Sequence, residues 1–149
     1  MTMSKTLRLC AAAAVLAAAC PSGASPVSRS AEALGGLLPL SDKDMARTRE
    51  SGCQSSFSHG NATLIFMIGH DFMIRTGAGL AICRISESQF GSFGEGPTAV
   101  TCGSRRLVVR RTGKVVSHEE ADSAEGPARL VVTRGRSRST VPGDWGTAC

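Results

Sequence analysis

The residues with the clearest chemistry in this chain of 149 are the cysteines at 53, 83, 102 and 149. The first 24 residues read as an export signal, and an even thiol count in an exported chain reads as disulfides. No Cys-x-x-Cys pair offers a zinc site. Four cysteines admit three pairings, and spacing alone does not choose among them. The expected pairing joins Cys83 to Cys102 across a Gly-rich excursion and Cys53 to Cys149 across the whole domain. On the chain-entropy account these are worth ~3 and ~4.7 kcal/mol, as much as the net stability of many small domains.

The remaining polar candidates have ordinary readings. His70-Asp71 is a pair found in metal phosphohydrolases, but those sites need further His and Asp ligands on helices, and this pair falls in a predicted hairpin turn. His118-Glu119-Glu120, with Asp122 and Glu125, gathers carboxylates without the Asp-x-Asp-x-Asp-Gly spacing of a calcium loop, and reads as a solvated acidic loop. His59 reads as a turn residue, and no Gly-x-Ser-x-Gly elbow is present to anchor a Ser-His-Asp triad. Thr76-Gly77-Ala78-Gly79 lacks the Lys-Ser/Thr of a phosphate loop. No catalytic constellation emerges, and no cofactor is implied.

Charge is more informative. Residues 25–101 carry 6 basic and 7 acidic groups, whereas residues 102–149 carry 9 and 5. Arg106, Arg110 and Arg129 fall on the solvent side of predicted strands, where forked guanidinium donors suit phosphate or carboxylate oxygens. The partner this fits is an anionic envelope component. Nucleic acid is a poor fit, because the chain has no Tyr and only one Trp for base stacking. Between Cys83 and Cys102, Phe90 and Phe93 share one face of a helical turn. They are candidate anchors for another envelope protein if exposed, and a lid over the core if folded back. Trp145 is expected to plug the opposite end.

Asp122-Ser123-Ala124-Glu125-Gly126-Pro127-Ala128-Arg129 resembles the Ser-Ala-Ser-Gly-Ala-Arg loop of periplasmic C-type lysozyme inhibitors. Glu125 stands where that family has Ser, and Leu130 where it has Tyr. The resemblance implies a small exported β-barrel in which Ser123 and Arg129 would enter the lysozyme cleft.

These residues need a scaffold. Apolar and charged fractions of 42% and 19% suit a folded globular domain. Lys5 and Arg8 precede an apolar run over 9–19, the layout of a signal peptide cleaved after Ala24. Cleavage before Cys20 is the alternative, with lipidation of that residue as the only route to the membrane. Residues 25–40 read as a flexible linker, and 41–149 as a single domain. Ser41 can cap a short helix, with Asp44 as its box partner, Leu40 and Met45 as a staple, and Gly52 as the stop. Alternating apolar residues then predict strands over 63–68, 71–76, 79–85, 105–111, 129–134 and 137–141. The fold expected is mainly β: a small antiparallel barrel or sandwich of about seven or eight short strands, one short N-terminal helix and two disulfide braces.

The function expected is that of a periplasmic or secreted bacterial envelope protein, a small binding or accessory module without catalysis, whose ligand the sequence does not identify. A lysozyme inhibitor acting through the Ser123 segment is one alternative. A metal- or thiol-dependent envelope enzyme is the other.

Overall fold

A computed structural model describes residues 33–149, so the expected signal peptide and the possible lipidation point Cys20 lie outside the described residues. The chain from residue 37 onward forms ten strands: β1 (Leu37–Leu38), β2 (Gln54–His59), β3 (Ala62–Ile68), β4 (Asp71–Thr76), β5 (Gly79–Arg84), β6 (Ala99–Cys102), β7 (Arg105–Arg111), β8 (Val116–His118), β9 (Ser123–Arg134) and β10 (Ser137–Ala148). All pair antiparallel in one curled sheet, a half-barrel whose long strands run in the order β5, β4, β3, β2, β10, β9, β7, β6. Ten strands form where seven or eight were expected. The two extra ones are short: β1 continues the edge of β4 where β3 has left it, and β8 continues the edge of β9 where β7 has ended.

The alternation of side chains explains which surface curls inward. Phe57, Ile65, Phe72, Leu107, Val109, Leu130 and Val141 meet in the main core. The run Leu64-Ile65-Phe66-Met67 does not alternate, and both of its faces are covered. Leu64, Ile65 and Met67 enter the main core, while Phe66 packs outside with Met73, Leu40 and Met45. That outer cover is the predicted helix, α1 (Asp42–Met45). Its capping box is formed as expected: Ser41 Oγ accepts from the Asp44 N–H, and Asp44 accepts from the Ser41 N–H. The helix is one turn long and is capped at Ala46, so Gly52 is not its stop.

Asp44 has a second task. Only 3% exposed, it also takes both Nε and Nη2 of Arg75 from β4, which ties α1 to the sheet. The Arg75 hydrogen bonds, helped by those from Ser41, hold the Asp44 carboxyl far below the usual carboxylate range. For Asp71, burial pushes upward but the hydrogen bonds from Thr48 and Arg84 prevail and lower it.

The linker ends earlier than expected. Leu37 is wholly buried in the main core and Leu40 in the outer cluster, so residues 37–40 belong to the domain. Gly35 and Gly36 lie at φ +69° and +75°, turning the chain so that their carbonyls accept from buried Arg105. A Cβ on Gly36 would stand 2.8 Å from the Arg105 guanidinium. Burial, reinforced by Arg134, lowers the pKa of Arg105.

The two disulfides are those expected, Cys53–Cys149 and Cys83–Cys102. The first joins the ends of neighbouring strands β2 and β10. The second joins β5 to β6, the two outer strands of the sheet, which share no ladder. A second helix, α2 (Glu87–Ser92), lies in the segment between them.

Two outcomes follow. Replacing Cys83 and Cys102 by Ala is expected to cost ~3 kcal/mol and to speed amide exchange in β5 and β6. Replacing Cys53 and Cys149 is expected to cost ~4.7 kcal/mol and to speed exchange throughout the sheet, because a loss of that size approaches the whole stability of a small domain. Exchange mass spectrometry with urea unfolding reads both. The depressed Asp44 and Asp71 carboxyls contribute stability in full above about pH 4, and that contribution is lost as pH falls through their folded-state values. Asp44→Asn is therefore expected to flatten the acid limb of stability in urea titrations at stepped pH, and an unaltered limb would show that the pair adds nothing.

Candidate functional site

The predicted arginine face exists on the outer surface of β7, β9 and β10. Arg106, Arg110 and Arg129 are exposed while Leu107, Val109, Leu130 and Val132 point into the core. The register sets Arg110 directly opposite Arg129. It also sets Thr133 between Arg106 of β7 and Arg138 of β10. At strand spacings of ~4.8 Å and rises of ~3.3 Å per residue, the four guanidinium stems span a patch of roughly 10 by 13 Å. A shallow recess of about 220 Å³ runs between them, lined by Arg106, Val108, Arg110, Val131, Thr133 and Arg138. Val108 is buried although it points outward, consistent with cover from the aliphatic stems of its arginine neighbours.

None of these four arginines forms an ion pair with a carboxylate among the described residues. Among the described residues, arginine ion pairs are formed by Arg75 with Asp44, by Arg84 with Glu50 and Asp71, and by Arg111 with Glu95. Like charges set directly opposite across two strands repel. The Arg110–Arg129 apposition is therefore a cost, and neither residue forms an ion pair among the described residues. Arg138 was absent from the sequence reading. The signal that could have found it is the hairpin, since Gly135 places β10 residues of even number on the same outer face as Arg129.

The other candidates are distributed elsewhere. Asp122 through Arg129 is not a loop: Ser123 opens the twelve-residue strand β9, and Ser123 and Arg129 stand ~20 Å apart along it. The paired presentation that the resemblance to lysozyme inhibitors implied is not formed. Phe90 and Phe93 are not exposed anchors. Phe93 is 1% exposed and Phe90 half-buried against the core, because α2 folds the segment back over the open end of the half-barrel. Trp145 does not plug the opposite end either. Its ring meets Phe93 edge-on at 5.4 Å, and Phe93 meets Phe72 at 5.2 Å, so the three rings stack at one end. The far end is filled by Leu37, with Leu34 packed against the same core.

The remaining polar candidates also settle into the scaffold. His70 lies in the β3–β4 turn with Nδ1 3.0 Å from the Ile85 carbonyl, and neighbouring Asp71 is engaged by Thr48 and Arg84. His59 closes β2 rather than standing in a turn, with Nδ1 2.7 Å from the Pro142 carbonyl. His118, Glu119, Glu120 and Asp122 are exposed around a single 3-10 turn. Among the described residues no three His, Cys, Asp or Glu side chains gather as a metal site. All four cysteines of the domain are in disulfides, so the free-thiol alternative has no thiol in this structure.

The ring stack at the open end also constrains the loop after α2. Gly94 sits at φ +88°, and a Cβ there would fall 2.2 Å from Trp145 Nε1. Gly94→Ala is expected to cost ~1–3 kcal/mol through this clash and to shift the emission of the single tryptophan to the red. An unfolding midpoint and an emission spectrum check both. Comparison of the chain with protein-family models, curated proteins and solved structures finds no match.

Proposed function

We propose that this protein is a non-catalytic binding module of the bacterial envelope whose outer β7–β9–β10 face captures a phosphate-bearing polyanion. The observation that carries this reading is the cross-strand Arg110–Arg129 pair, flanked by Arg106 and Arg138, with none of the four in an ion pair among the described residues. A face that keeps like charges apposed gains most from a ligand carrying several negative groups, since each phosphate can accept a forked pair of hydrogen bonds. The arginines are exposed along three neighbouring strands, which suits an extended ligand rather than an enclosed one. Envelope location is part of the proposal. It is supported by the two disulfides, which persist in oxidising compartments, and by the signal-like N-terminus.

The test is retention on phosphocellulose at low salt. The unaltered protein is expected to be retained and to elute as salt rises, with a steep salt dependence. The double variant Arg106→Glu, Arg110→Glu, with both side chains exposed and outside the core, is expected to pass unretained without a lowered unfolding midpoint, because Glu at 110 replaces the repulsion opposite Arg129 by an attraction. Equal retention of the variant would remove the proposal. Competition by phosphatidylglycerol vesicles against soluble polyphosphate then separates a lipid source of the phosphate from a polymeric one.

A further inference from the structure

We infer that the open end of the half-barrel is a second binding site, for a small uncharged amphiphile with an apolar body and a hydroxyl or carbonyl head. It lies on the inner surface of the sheet, so it is independent of the arginine face. The recess there has a volume of about 380 Å³, inside the range of roughly 300–1,000 Å³ usual for small-ligand sites. Phe90, Phe93 and Trp145 line it together with Val115 and Ala124, which is an apolar wall for the body of a guest.

The polar groups lining the recess define the head. Ser55 and Thr147 are cross-strand partners on β2 and β10, and their hydroxyls hydrogen-bond each other at 3.0 Å. That bond uses one of the two hydroxyl protons. The second proton and the spare lone pairs remain for a guest's hydroxyl or carbonyl. The charged group at the rim is already satisfied: Arg111, its side chain 16% exposed, donates Nε and Nη2 to the two oxygens of Glu95 and Nη1 to the Trp145 carbonyl. An ionised guest would be desolvated without a counter-charge, whereas an uncharged one loses little. The recess therefore selects for neutrality as the outer face selects for negative charge.

Trp145 is the only tryptophan in the chain and lines the recess, so it reports occupancy directly. The probe is N-phenyl-1-naphthylamine, uncharged, titrated into the intact protein at low and high salt. Saturable quenching of Trp145 with sensitised probe emission, at one probe per chain and independent of salt, is the expected result. Gly91 lines the recess with nothing within 4 Å of a Cβ built on it, so Gly91→Leu adds its Cβ without a clash and brings bulk to the wall, and leucine favours the helix over glycine. This variant is expected to weaken probe binding at least tenfold. Thr147→Val keeps the shape and removes a hydroxyl, and is expected to weaken displacement of the probe by 1-naphthol severalfold while displacement by naphthalene is unchanged. No energy transfer up to the solubility limit of the probe, or full transfer in Gly91→Leu, overturns the inference. Equal losses for 1-naphthol and naphthalene in Thr147→Val overturn the assignment of the head group. Salt independence keeps this result separable from that of the phosphocellulose experiment.

Discussion

The structure depends on a seam that hydrogen bonds do not close. Strands β5 and β6 are the two outer strands of one curled sheet, and antiparallel pairing carries the ladder from one around to the other without joining them. An unpaired edge is a liability in water, both for its own backbone groups and for the strands of other molecules it invites. Here Cys83 and Cys102 hold the edges together covalently, and the chain between them turns into α2 and folds Phe93 inward. The bond thus fixes both the diameter of the half-barrel and the position of its lid.

With the seam held, the molecule has two ends and two faces that differ in chemistry. One end is filled by Leu37, held by the bonds between Arg105 and the Gly35 and Gly36 carbonyls. The other is roofed by three stacked rings beside a recess that retains a pair of hydroxyls. On the outside, α1 covers β3 and β4 through Phe66 and Met73, whereas β7, β9 and β10 present arginines to solvent. The same period-two alternation produces both results. It buries Leu107 and Val109 and exposes Arg106 and Arg110 on one strand.

Much of this was legible where local chemistry decides. The Ser41–Asp44 box, the hairpin turn at His70 and the alternation of β7 all appear as expected, because each depends on residues a few positions apart. Helix α2 uses the same capping grammar, Ser86 with Gln89, but glycines at 91, 94 and 96 made the segment read as a loop. The first half of β9 was obscured by Gly126 and Pro127. Pro127 lies where the β7 ladder has ended and the β8 ladder has not begun, so its missing N–H leaves no ladder bond unmade on that edge. Gly126 packs against the backbone of Lys114 and Val115, where a side chain would not fit. The placement of Leu37 and Trp145 depends on partners far along the chain, and composition near either residue carries no trace of it. The arginine face was visible in part: alternation yields Arg106, Arg110 and Arg129, but Arg138 joins them only through the register of the β9–β10 hairpin.

The apposition of Arg110 and Arg129 has a consequence for how the protein responds to its solvent. Surface ion pairs weaken as salt screens their attraction, and many proteins lose a little stability that way. On this face the interaction being screened is a repulsion, so dissolved ions relax the empty sheet at the same time as they compete with any anion drawn to it. Salt thus relieves a strain on this face while it weakens the attractions of Arg75 for Asp44 and of Arg84 for Asp71, so ionic strength acts on different parts of one sheet with opposite signs.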